Sequence, residues 1–146
     1  MTLMPVVIDT NVFIGALMSE GGANRRVIRF CLERKLRPLM GAALFAEYES
    51  LMARKKLFLD CRLDEGERDE LFDAFMSICR WVSVYYLWRP NLRDEADNHL
   101  VELAAAGGAA VIVTNNIRDF KGEYMDFLGV RAVTPGMFIK ERELKT

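Results

Sequence analysis

Apolar residues fall in two rhythms along this chain, short unbroken runs and stripes at three-and-four spacing, and the two alternate. Residues 4–8 form a short, β-branched, apolar run, the mark of a buried strand, and residues 109–113 form the second clear case. Weaker runs at 37–40, 82–86 and 130–133 predict three further strands. Helices are predicted over 10–18, from an Asn24 cap to about residue 34, over 42–54 and over 94–106. Another should start at Asp64 and carry Leu71, Phe72, Phe75, Met76 and Cys79 on its inner side. A short helix over 122–128 and a last short segment, opened by Thr134-Pro135 and running through Met137 and Phe138, complete the pattern. Ser19-Glu20-Gly21-Gly22 and Gly107-Gly108 punctuate it, and Pro90 breaks the stretch 88–93.

Strands alternating with helices imply an α/β fold whose central parallel sheet, of about five strands, is covered on both faces. Ligand sites in such sheets lie beyond the carboxyl ends of the strands. No repeat, linker or low-complexity tract divides the 146 residues, so one domain spanning 1–146 is expected.

Composition narrows the function only modestly. Charges or glycines interrupt every apolar stretch before it reaches a membrane-spanning length, so no membrane association is expected. The opening Met1-Thr2-Leu3-Met4-Pro5 lacks a basic segment, and no secretory signal is expected. Cys31, Cys61 and Cys79 are odd in number, far apart and outside any C-x-x-C pattern. They read as small buried hydrophobes of a cytoplasmic protein rather than a disulfide framework or zinc site. A net charge of −1 excludes a global basic field, so nucleic-acid binding would need local patches. Arg25, Arg26 and Arg29 form one candidate patch, and Arg54, Lys55 and Lys56 another; each also suits an ordinary solvated face. Trp81, Tyr85, Tyr86 and Trp88 offer base-stacking surfaces, although core and dimer packing explain them more simply. His99, the lone histidine, falls off the inner stripe of its helix and reads as a surface residue.

Acidic residues change the picture. Asp9 ends the run Val6-Val7-Ile8 and opens Asp9-Thr10-Asn11, where it also suits the cap of the next helix. Glu47 shares the apolar stripe of Leu44, Tyr48 and Leu51. Asp97 shares the inner face of Leu100, Val101 and Ala104, with Asp94 the better cap for that helix. Asp119 follows the strand at 109–113 and the turn Thr114-Asn115-Asn116. Burying ionised carboxylates is costly unless they are paired or metal-bound. Converging on one rim, these four would repel one another unless one or two hard divalent cations, Mg²⁺ or Mn²⁺, relieved the repulsion. Such ions are suited to phosphodiester hydrolysis. Asn11, Asp94, Thr114, Asn115 and Asn116 would support the carboxylates or orient water.

At these residues the chain resembles the PIN-domain family of metal-dependent ribonucleases, and within it the VapC-like branch of toxin components from toxin–antitoxin systems. Val6-Val7-Ile8-Asp9-Thr10-Asn11-Val12 is similar to the family's opening motif, and Glu47 to its helix glutamate. Arg93-Asp94-Glu95-Ala96-Asp97-Asn98 resembles the third motif, with Asp97 as its metal-site acid. Ala110-Val111-Ile112-Val113-Thr114-Asn115-Asn116 with Asp119-Phe120 resembles the fourth. One departure stands out: many members carry an aspartate soon after the threonine, where this chain has Asn116, and the acid arrives only at Asp119. The resemblance implies a three-layer α/β/α fold, RNA hydrolysis, frequent dimerisation and, in some members, an antitoxin partner.

Three functions follow from these observations. One is an Mg²⁺- or Mn²⁺-dependent endoribonuclease on single-stranded RNA, with Asp9, Glu47, Asp97 and Asp119 as metal ligands and catalytic acids. A second is a degenerate PIN-like module that binds RNA or protein without cleavage, motivated by Asn116 and the near-neutral charge. Third, an aspartate phosphatase would use Asp9 as nucleophile, but it usually wants a second aspartate two residues on, and Asn11 stands there.

Overall fold

A computed structural model describes residues 3–19, 21–84, 98–120 and 123–145. Five parallel strands make one sheet in the order β3-β2-β1-β4-β5. They are β1 (Met4–Ile8), β2 (Leu36–Met40), β3 (Arg80–Trp81), β4 (Val111–Val113) and β5 (Arg131–Val133). The helices are α1 (Thr10–Met18), α2 (Ala23–Leu32), α3 (Ala42–Met52), α4 (Glu65–Ile78), α5 (Asn98–Gly107), α6 (Glu123–Leu128) and α7 (Pro135–Lys145). Helices cover both faces of the sheet in a three-layer α/β/α arrangement, as the alternating pattern implied.

The two clearest apolar runs lie side by side at the centre. Val7 pairs with Ile112 and Ile8 with Val113, and all four are buried. The ladder continues one step past β1, where Asp9 N–H donates to the Val113 carbonyl at 2.9 Å. Thr114 N–H likewise donates to the Val133 carbonyl at 2.9 Å. Sheet hydrogen bonding therefore fixes Asp9 and Thr114 together at the carboxyl edge, where ligand sites of parallel sheets form.

An aromatic cluster joins α1, α3 and α4. Phe13, Tyr48 and Phe75 are almost fully buried, with ring centroids 5.1 Å apart for Phe13–Phe75 and 5.8 Å for Phe13–Tyr48. The Tyr48 hydroxyl donates to the Ile8 carbonyl at 2.8 Å, giving a buried phenol the partner it needs. This bond pins α3 to the end of β1 and thereby sets the direction of the neighbouring Glu47. Asp64 caps α4 through a reciprocal capping box with Glu67, at 2.8 and 3.1 Å.

Four expectations need correction. Among the described residues the third strand lies at Arg80–Trp81, ahead of the expected 82–86, and residues 82–84 are not in a strand; Arg80 and Trp81 are exposed at the sheet edge, and Val82 N–H donates to the Met40 carbonyl. The cap of α2 is Gly22, with φ of 92°, and Asn24 lies inside the helix with its side chain committed elsewhere. The last helix runs eleven residues. Its charged half is tied down by Arg131–Glu141 and Arg26–Glu143 ion pairs, which an apolar-stripe reading does not register. Of the three cysteines, only Cys31 is fully buried; Cys61 and Cys79 are half-buried and donate to the Leu17 and Phe75 carbonyls. All three are free thiols, and burial pushes Cys79 up to about 12. Residues 85–97, which include Tyr85, Tyr86, Trp88, Asp94 and Asp97, lie outside the described residues. Among the described residues no helix is long and apolar enough to cross a membrane.

Candidate active site

Asp9 occupies two roles at once. Its Oδ1 accepts the Thr10 N–H at 2.7 Å and caps α1, while its Oδ2 accepts the Thr114 hydroxyl at 2.7 Å. The first contact favours a carboxylate at the positive end of a helix. Even so, burial raises the Asp9 carboxyl above its ordinary range. The Thr114 and Thr10 hydrogen bonds oppose that rise, and the charge of Glu47 adds to it.

Glu47 reaches the same place from α3. Thr10 Oγ1 donates to Glu47 Oε1 at 2.9 Å and lies 3.4 Å from Asp9 Oδ1. The second Glu47 oxygen, Oε2, sits 3.0 Å from His99 Nε2 on α5. Chiefly through the His99 contact, and with help from Thr10, the Glu47 carboxyl is held below its ordinary range against the opposing effect of burial. Two acids far apart in sequence thus meet around one threonine hydroxyl, and their protons are held unequally. Repulsion of this kind is what a cation relieves.

Across the gap, the β4 edge is built from hydroxyl and amide groups. Asn11 Nδ2 donates to Asp9 Oδ2 at 3.3 Å, and Asn11 Oδ1 accepts the Asn115 backbone N–H at 3.1 Å. Asn115 Nδ2 donates to Asn24 Oδ1 at 2.9 Å, which ties α2 to the loop after β4. Gly15 makes this close approach possible, since a Cβ there would lie 2.3 Å from Asn24 Nδ2. Asn116 N–H donates to Thr114 Oγ1 at 3.0 Å, and its side-chain amide donates to Asp119 Oδ2.

The structure therefore brings Asp9 and Glu47 together directly, and attaches Asp119 to Asp9 through Asn116 and Thr114. Asn11 and Thr114 hydrogen-bond to Asp9, Asn115 to Asn11, and Asn116 to Thr114. Asp97 and Asp94 lie outside the described residues. Among the described residues, no three His, Cys, Asp or Glu side chains converge as a metal-holding group. The Asp9–Glu47 pair nevertheless fits a hard cation, because its donors are carboxylate oxygens flanked by hydroxyls and one of them is destabilised as a buried anion.

Sequence reading missed three participants. His99 is a half-buried partner of Glu47 and not a surface residue. Thr10 bridges the two acids, and Asn24 braces the amide side; no periodicity marks either one.

The candidate cationic patches remain at the surface. Arg26 pairs with Glu143, and Arg25 Nη1 donates to the Ser19 carbonyl at 3.2 Å. Arg25 and Arg29 edge a shallow apolar groove floored by Phe13, Ala16, Ile28 and Leu71. Arg54, Lys55 and Lys56 are exposed after α3. Trp81 is exposed at the edge strand, with its ring edge-on to Phe45 at 5.7 Å.

A family model for the PIN domain matches residues 5–118. The chain belongs to the PIN-domain family. That match includes Asp9, Glu47 and Asp97 and stops one residue short of Asp119. An uncharacterized protein of Methanocaldococcus jannaschii, MJ1680, is 28% identical over 149 aligned positions, covering 94% of this chain and 91% of the relative. Among solved structures, a chain in the crystal structure of VapBC2 from Rickettsia felis, bound to a DNA fragment from their promoter, superposes with a TM-score of 0.57. It shares 14% identity and covers 90% of this chain and 98% of that one, a likeness of fold. As a PIN-domain protein, the chain falls in a family whose members are generally nucleases.

Proposed function

We propose that this PIN-domain protein is an Mg²⁺- or Mn²⁺-dependent endoribonuclease that hydrolyses phosphodiester bonds of single-stranded RNA, of the toxin type. The observation that carries this reading is the meeting of Asp9 and Glu47 around Thr10 at the carboxyl edge of the sheet. Asp9 and Glu47 would hold the ion, with Asp97 and Asp119 as further acids of the site. When bound, the ion supplies Lewis-acid activation of water and of the scissile phosphate. The chain's own residues prepare that chemistry. Thr114 and the Thr10 N–H fix the Asp9 carboxylate, Thr10 sets its spacing from Glu47, and Asn11 links both to the loop after β4. Asp94 would serve as a supporting group near Asp97. The VapBC2 neighbour supports a partner protein of the antitoxin kind, and a homodimer fits the family. We place the protein in the cytoplasm.

Purified protein should cut unstructured RNA with Mn²⁺ or Mg²⁺, stop on EDTA addition, and fail when Asp9 becomes Asn. Cleavage that persists in EDTA and in the Asp9→Asn protein would reject the reading. A second reading, a non-cleaving RNA- or protein-binding module, draws on Asn116 and the neutral β4 edge. Tight RNA binding with neither Mn²⁺ uptake nor cleavage would favour it.

A further inference from the structure

We infer that His99 is a positioning residue that aims the Glu47 carboxylate toward Asp9, an inference that rests on the metal-site reading above. A glutamate in mid-helix has several rotatable bonds and, left alone, spreads among many rotamers. Here each of its oxygens has its own neighbour. Oε1 takes the Thr10 hydroxyl at 2.9 Å, from α1, and Oε2 meets His99 Nε2 at 3.0 Å, from the start of α5. Two donors from two different elements fix the plane of the carboxylate as well as its place. The remaining lone pairs are thereby held in one orientation, which a divalent ion requires of its ligands.

The imidazole is suited to this task. Its side chain is 16% exposed, whereas that of Glu47 is 38% exposed, so the better-buried ring anchors the freer carboxylate. Facing a carboxylate, Nε2 must carry a proton and donate. Among the described residues Nδ1 is buried with no hydrogen-bond partner, so Nε2 is the ring nitrogen through which His99 acts. Through Nε2 the ring orients the Glu47 carboxylate. A lysine or arginine in this position would neutralise the carboxylate and compete with the ion.

Mn²⁺ titration by calorimetry tests the inference on wild-type, His99→Ala and His99→Gln proteins, with melting temperatures as controls. His99→Ala should weaken Mn²⁺ binding by about 10–100-fold, the usual effect of removing an outer partner of a metal ligand. His99→Gln, which keeps a neutral donor of similar reach, should recover most of that loss. Equal Mn²⁺ affinity in wild-type and His99→Ala would overturn the inference while leaving the metal-site reading intact. Equal losses in Ala and Gln variants would also overturn it, since donation would then not matter. No Mn²⁺ uptake by the wild type would instead remove the metal-site reading itself. Should His99→Ala fail to fold, His99→Gln against His99→Asn carries the test. The shorter Asn should lose affinity, and affinity equal to that of Gln would contradict the inference.

Discussion

The β1 edge of the site carries buried charge, whereas the β4 edge, joined to it directly by the Thr114–Asp9 hydrogen bond, carries neutral donors. On the first, Asp9 and Glu47 crowd around Thr10, and their protonation is pulled in opposite directions. On the second, Thr114, Asn115 and Asn116 present a hydroxyl and two amides, with Asp119 reached only through Asn116. The difference follows from what each edge can supply. Asp9 sits at a helix N-terminus with donors from two neighbouring elements, so a buried carboxylate is tolerable there. The loop after β4 is exposed and has no helix of comparable length to stabilise an anion. Charge is thus concentrated where it is strained, and neutral amides hold the strained part in place.

Asp9→Asn breaks the comparison most sharply. Removing the better-buried acid should lower metal-dependent RNA cleavage by more than the roughly 10–100-fold that outer partners of a ligand command. The same substitution should raise the melting temperature of the metal-free protein. The sign follows from linkage. A carboxyl raised above its ordinary value contributes its full stability below that value, and loses it as pH rises through the folded-state value. At neutral pH the native state carries this penalty, and asparagine removes it. A clear fall in melting temperature would show instead that capping α1 is the main role of Asp9.

Gly15→Ala tests the bracing side alone. Alanine gains helix stability of up to about 1 kcal/mol, but a Cβ in contact with Asn24 incurs an overpacking cost of about 1–3 kcal/mol. A net loss of about 1 kcal/mol in denaturant unfolding is expected, with Mn²⁺ affinity retained because Asp9 and Glu47 are untouched. Collapse of Mn²⁺ affinity would mean that the two edges are one unit. The smallest effect belongs to Asn116→Asp. It replaces an amide donor to Asp119 with a second acid, so metal-free stability should fall by less than about 1 kcal/mol at this exposed site. Mn²⁺ should restore what is lost, and a variant indifferent to Mn²⁺ would show that the β4 edge plays no part in ion binding.

How much of this could be read from the chain varied by element. Strands β1 and β4 were legible because residues buried on both sides leave an unbroken apolar run, and Asp9 stood out because it ends one. Glu47 was legible because a charged residue on an apolar stripe violates the helical pattern. His99 was not, for a physical reason. Residues 100–104 of α5 are all buried, the charged Glu102 among them, so burial on this helix extends beyond the apolar stripe that left His99 outside. The bond from Asn24 to Asn115 spans 91 residues and depends on a close approach at Gly15, and local patterning contains neither. Among the described residues edge strand β3 pairs at two positions, Leu39 with Arg80 and Met40 with Trp81, too short a ladder for alternation to locate.

Central to the account is one divalent-ion site shared by Asp9 and Glu47. Crystals grown metal-free and soaked in Mn²⁺ should show an anomalous peak bonded to carboxylate oxygens of both residues. A soaked crystal with no peak there, or with manganese only beside Asp119, would contradict it.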